Sequence, residues 1–164
     1  MLSGQLGRFL LYAERHQAAI DQGRKTLEIE PSYFQAYLDI GAAQLALGQV
    51  EESLQSFRKG QSLATAVRSY DAMIVRSLVA LGESEEAAAI MERLEAQARS
   101  EYLRSEVLAM GHAALGDFDK AFDALQRAVD AHSAGLIYLH LDPAYAPLRS
   151  DPRFAQLVKK IGLR

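Results

Sequence analysis

The sequence predicts an all-α protein, a right-handed superhelical α-solenoid of about four helical hairpins closed by a short C-terminal helical cap. Three observations carry that prediction. The segments ALGQVEESLQSF (46–57), ALGESEEAAAIM (80–91) and ALGDFDKAFDAL (114–125) superpose at successive offsets of 34 residues, and a period of that size marks stacked supersecondary units. The four prolines stand at 31, 143, 147 and 152, so Ser32 to Asp142 runs without one, as helix interiors require. The 164 residues are 49% hydrophobic and include no cysteine. That is enough apolar surface for a core, and it removes disulfides, thiolate chemistry and cysteine-based metal sites.

The period places the units at about 1–33, 34–67, 68–101 and 102–131, an array over 1–131 followed by a capping segment over 132–164. One position of the register is held by Leu6, Ile40, Ile74 and Leu108, the next by Gly7, Gly41, Val75 and Ala109, and a third by Ala19, Ser53, Ala87 and Ala121. Small residues there let two helix axes approach closely. In the second unit Tyr37, Ile40, Gln44 and Leu47 fall at three- and four-residue spacings, with Gln44 a polar intruder, and Gly48 supplies the left-handed conformation that ends a helix. The next helix starts with Glu51 and Glu52 at its positive end, carries Arg58 and Lys59 near its close, and turns Leu54, Phe57 and Leu63 inward. Gly82 and Gly116 repeat the turn of Gly48, whereas the first unit has Glu14 in that place.

Past Ala131 the period fails. Asp142-Pro143 and Asp151-Pro152 each read as a helix start, with aspartate capping the free amides and proline at the first helical position. The last helix sets Phe154, Leu157 and Ile161 on one side, Lys159 and Lys160 in its final turn, and Gly162 as its stop. A solenoid needs such an ending to cover its last apolar face. At the other end no polar helix precedes the first repeat, so Leu2 and Phe9 are expected to be exposed, inviting self-association through the N-terminal helix or continuation of a longer array.

With these residues in place the chain resembles the tetratricopeptide repeat family over about residues 2–131. The family pattern is met by Ile40-Gly41, Gly48, Ser53 and Phe57; by Ile74-Val75, Gly82, Ala87 and Met91; by Leu108-Ala109, Gly116, Ala121 and Leu125; and by Leu6-Gly7, Ala19 and Pro31. Gly23 replaces the first aromatic, and the closing proline is absent after the second and third units. The resemblance implies a concave groove lined by the first helix of each unit. Its lining would be Arg8, Leu11, Tyr12, Gln35, Leu38, Asp39, Ala42, Leu45, Ser69, Ala72, Met73, Arg76, Val79, Leu103, Glu106, Val107 and Met110. Chaperone-binding members grip a terminal carboxylate with lysine and asparagine. Gly4, Arg8, Leu38 and Ala42 stand at the matching sites here and disfavour that activity. An apolar groove containing Met73 and Met110 suits an amphipathic helix, an apolar peptide or the chain's own tail folded back.

No constellation for catalysis is present. His16, His112, His132 and His140 form no metal-ligand spacing. His112 takes a position that is leucine in other units and reads as a packing residue, and His140 with Asp142 reads as a turn contact rather than an acid–base pair. Glu51-Glu52 and Glu85-Glu86 recur at the repeat offset, so dipole compensation accounts for both. Phosphate loops and serine elbows are missing, and the reading is a non-enzyme with no cofactor and no metal. Eighteen basic against 21 acidic residues offer no field for nucleic acid, and no apolar run reaches the ~20 residues of a membrane helix. A cytoplasmic protein is expected, with Arg149, Arg153, Lys159, Lys160 and Arg164 serving helix ends and solvation. The function expected is a protein-interaction scaffold. The alternative is the sensory or regulatory end of a bacterial signalling or transcription protein with a cyclase, winged-helix or kinase output, which the LDPAYAPLRSDPRF tail resembles.

Overall fold

The computed structural model describes residues 2–163, with side chains from Gln5 onward. Its α-helices are α1 (Leu2–Tyr12), α2 (His16–Ile29), α3 (Phe34–Ala46), α4 (Val50–Leu63), α5 (Ser69–Leu81), α6 (Ser84–Ser100), α7 (Ser105–Leu115), α8 (Phe118–Asp130) and α9 (Pro152–Lys160). Two 3₁₀ turns, Ala134–Tyr138 and Pro143–Leu148, lie between α8 and α9. Consecutive helices pack as four hairpins, and the odd-numbered ones also touch each other, α1 with α3, α3 with α5, and α5 with α7. First helices therefore share one face. That is the arrangement of an α-solenoid, in which each hairpin buries its apolar side on its neighbours.

The repeated small residues work as contact points. A Cβ added to Gly41 would sit 2.5 Å from the Phe57 ring, and one added to Gly60 would strike the Tyr70 hydroxyl. Bulk at either position would separate the helices. Tyr70 is fully buried and donates its hydroxyl hydrogen bond to the Phe34 carbonyl. Ser53 of α4 shares a 3.1 Å hydrogen bond with Ser77 of α5, so the serine that replaces the usual alanine ties two units together. Gln44 is also satisfied, accepting from the Ser56 hydroxyl at 2.7 Å. Some expectations fail at helix ends. Leu47 and Leu63 are exposed, not inward; Leu47 is the residue that caps α3 and Leu63 is the last residue of α4. Since α4 extends to Leu63, Arg58 stands mid-helix, where it donates to Glu86 of α6 at 3.1 Å.

The tail is built as a cap, with one difference from expectation. The Asp142 carboxylate accepts from the Ala144 amide at 2.8 Å and that of Asp151 from the Arg153 amide at 2.9 Å. Only the second cap opens an α-helix. The first opens a 3₁₀ turn, since Pro147 inside it cannot donate the amide that longer helix would need. Leu139 and Leu148 are fully buried, Tyr145 nearly so, and Phe154 and Leu157 close over α8. Arg153 lies 4.3 Å above the Phe122 ring and pairs with Asp119 at 2.7 Å, binding α9 to α8. At the N-terminal face Phe9 and Leu6 are exposed. The Leu2 side chain and the surroundings of Gly4 lie outside the described residues.

The turn glycines Gly48, Gly82 and Gly116 have φ of 77°, 81° and 79°, and Glu14, at the equivalent place of the first unit, has φ 58°. A residue with a Cβ is strained there by roughly 1–2 kcal/mol. Glu14→Gly is expected to raise unfolding stability by about 1 kcal/mol after the entropy of the added glycine, read as a higher midpoint in urea. An unchanged or lower midpoint would mean that Glu14 is not strained.

Candidate functional site

The expected groove is not an open trough. The segment from Ser133 to Leu148 crosses it and packs on α7. Three contacts fix its path. Arg76 of α5 donates from Nη2 to the Pro143 carbonyl at 3.0 Å, the Tyr12 and Tyr138 rings meet at 5.1 Å between centroids, and Ser133 donates its hydroxyl to Glu106 of α7. A Cβ on Gly135 would run into that same Glu106 carboxylate, so a larger residue there would displace the carboxylate that Ser133 holds or keep the tail farther from α7.

What stays open is a cleft of about 340 Å³ between α1, α3, α5, α7 and the tail. Leu11, Leu38, Ala42, Met73 and Met110 form an apolar floor, with Tyr12 and Tyr138 as an aromatic wall and Ser69, Arg104 and Asp142 among the remaining lining. At one side Arg8 Nε donates to Asp39 Oδ1 at 2.6 Å, linking α1 to α3. The Asp39 side chain is 2% exposed. Burial pushes its carboxyl up to about 6, against the pull of Arg8 toward ionisation, and Asp142 adds to the rise. Burial would lower the Arg8 guanidinium, but Asp39 and Tyr12 lift it above its ordinary value. Burial raises the Tyr12 phenol far above its usual range, and Asp142 adds to that, so Tyr12 stays neutral.

Of the residues expected to line the groove, Arg8, Leu11, Tyr12, Leu38, Asp39, Ala42, Ser69, Met73 and Met110 come together in this cleft. Gln35 joins Arg8, Asp39, Phe9, Tyr33 and Tyr138 in a second cleft of about 320 Å³ that shares the Arg8–Asp39 pair with the first. Others are displaced from the expected role. Ala72, Val107 and Glu106 are buried, and Arg76 is committed to Pro143 beneath the tail. Leu103 opens into a separate cleft beside α6 and α8, while Leu45 and Val79 are half-buried beyond the tail's crossing. The tail folded back was one of the expected occupants, but Tyr138, Gly135 and Asp142, with Arg104, were not singled out as lining residues.

His112 is buried, its Nε2 3.2 Å from Glu95, and burial lowers its pKa despite that carboxylate. Asp142 spends its carboxylate on the Ala144 amide, while the buried His140 Nδ1 has no hydrogen-bond partner, so the expected turn contact between them is not made through that atom. Arg149 donates to the Asp142 carbonyl at 3.3 Å, and Lys160 lies 3.9 Å from Asp130. No described helix is long and apolar enough to cross a membrane.

Residues 34–66 match a tetratricopeptide repeat family model, the same span that forms the α3–α4 hairpin. The α3–α4 hairpin is a tetratricopeptide repeat. Among solved structures it is similar to the MamA RS-1 ArsTM double mutant, at 17% identity and a TM-score of 0.55 over 98% of this chain and 90% of that one. It is also similar to YrrB, described as a tetratricopeptide protein with an unusual peptide-binding site, at 17% identity and a TM-score of 0.54 over 97% and 82%. At this identity the likeness establishes the tetratricopeptide fold. No curated protein matches the chain.

The raised carboxyl of Asp39 has a signed consequence for this repeat protein. A buried acid whose folded pKa exceeds its unfolded value of about 3.8 takes up a proton on folding, so its contribution improves as pH falls from above 6 toward 4. Stability of the wild type relative to Asp39→Asn should rise by on the order of 1–3 kcal/mol between pH 7.5 and pH 4.5, measured by urea denaturation at both. A difference that stays flat or moves the opposite way would show that Asp39 is not held up by burial.

Proposed function

We propose that the chain is a non-enzymatic protein-interaction module, with residues 1–131 as the repeat array and 132–164 as its cap. It takes a segment of a protein partner at the cleft left between the first helices and the tail. The observation that carries this reading is the cleft itself. An apolar floor of leucine, alanine and methionine stays open on a concave face, where apolar contact supplies affinity and a few polar groups set orientation. The described peptide-binding site of YrrB, on the same fold, supports it. Because the tail fills the rest of the groove, the site receives one or two side chains of an extended segment and not a whole amphipathic helix. Arg76, which the groove pattern would make a contact residue, acts here by holding the tail.

The alternative of a sensory or regulatory part rests on the tail wording. In the structure both Asp-Pro pairs of that wording serve as caps within the fold, which accounts for them without an output module.

Peptides selected from a random display library against the whole chain test the proposal. Leu38→Glu puts a charge into the apolar floor and should weaken the selected peptides at least about tenfold, by fluorescence anisotropy, with helical circular dichroism unchanged. Equal binding by the variant would move the site off the cleft.

A further inference from the structure

The cleft between the first helices and the tail does not stand alone. A second cleft, of about 320 Å³, adjoins it across Arg8, Asp39 and Tyr138, which line both. Together the two gather four aromatic side chains, Phe9 and Tyr12 of α1, Tyr33 just ahead of α3, and Tyr138 of the tail. These rings are within reach of solvent. Phe9 is 56% exposed and Tyr138 36%, while Tyr12 and Tyr33 are half-buried. Tyr138, tilted 33° against Tyr12, stands at the border between the clefts.

The hydrogen-bonding groups around these rings are unevenly committed. Both carboxylates of the site are engaged, Asp39 with Arg8 and Asp142 with the Ala144 amide. The hydroxyls of Ser69, Tyr33 and Tyr138 and the Arg104 guanidinium make no hydrogen bond among the described residues. The site thus offers donors, while its charged acceptors are taken. Its elements are helical, so no strand edge is present to pair an incoming backbone. An extended segment of ordinary residues brings an amide N–H at every step, and one that loses water without gaining an acceptor costs binding energy. Proline brings a carbonyl and no N–H. In a polyproline II segment the carbonyls carry no internal hydrogen bond and are free for the hydroxyls and Arg104, and rings three residues apart lie along one side, where they enter neighbouring clefts. Prolyl rings dock on aromatic surfaces, and their preset backbone loses little freedom on seating.

We propose that the two clefts form one site for a proline-rich segment of a protein partner in the polyproline II conformation, read by Phe9, Tyr12, Tyr33 and Tyr138. This rests on the interaction reading above and names the chemistry of the segment bound. The apolar floor of Leu38 and Met73 takes an apolar residue between the prolines, and Tyr138 makes the tail part of the recognition surface.

The test uses the full chain and two N-acetylated peptides carrying a dye on a C-terminal cysteine, one of four Leu-Pro-Pro triplets and one with every proline replaced by alanine, read by fluorescence anisotropy. The proline peptide should bind at least about tenfold tighter. Phe9→Ala and Tyr138→Ala, both at exposed rings, should remove most of that difference with helical circular dichroism unchanged. Tyr138→Phe, which keeps the ring, should retain more of it and stands in should Tyr138→Ala fail to fold. Equal or tighter binding of the alanine peptide, or a proline preference unchanged in the ring variants, overturns the inference. So does binding of neither peptide. In each of these cases the interaction reading stands if display-selected peptides still lose affinity in Leu38→Glu, and a library that yields no binder sensitive to Leu38→Glu overturns both.

Discussion

The concave face of this protein depends on one packing arrangement, the seating of Ser133 to Leu148 against α7 and the first helices. In an open array those helices would present apolar residues to water. Here Leu139 and Leu148 are fully buried and Tyr145 nearly so, and burying three such side chains contributes roughly 4–9 kcal/mol before entropy. Arg76 joins the segment to α5 through the Pro143 carbonyl. Its guanidinium is lowered by burial and only partly restored by Asp142, so a carbonyl and a nearby acid together take the place of a direct ion pair. The tail is thus part of the core and also a wall of the cleft.

Much of the fold was legible in the sequence because repeats expose their own logic. The turn glycines, the small residues at Gly41 and Ser53, and the caps at Asp142 and Asp151 each act through neighbours close in the chain or one unit away, at a known offset. The register also located the exception at Glu14, whose backbone takes the conformation its glycine counterparts take. Local chemistry of this kind is visible to pattern reading because 34-residue periodicity reports which side faces the next hairpin.

The site was legible only in part, for a geometric reason. Arg8, Leu38, Asp39 and Met73 belong to the repeat register, and the register brought them to one face. Tyr138 and Asp142 come from beyond it. Nothing in the order of residues states that Pro143 returns to Arg76, 67 positions earlier, or that Gly135 is small because Glu106 lies against it. The same return path covered Glu106 through Ser133 and Gly135 and gave Arg76 a structural task, while Ala72 and Val107 are buried as well. Polarity was similarly hidden. Asp39 reads as one more groove residue until its burial and its single bonded oxygen are seen together.

The account stands on the tail being held in the groove in solution. Amide hydrogen exchange of the whole chain measures this most directly at Leu139, Asp142 and Tyr145, whose amides bond within the tail to Leu136, Tyr138 and Asp142. If the segment is core, these amides are protected to within about tenfold of those in α7, because both open only with the array. Exchange as fast as in an isolated peptide of residues 132–150 would show the tail free and the groove open, contrary to the account.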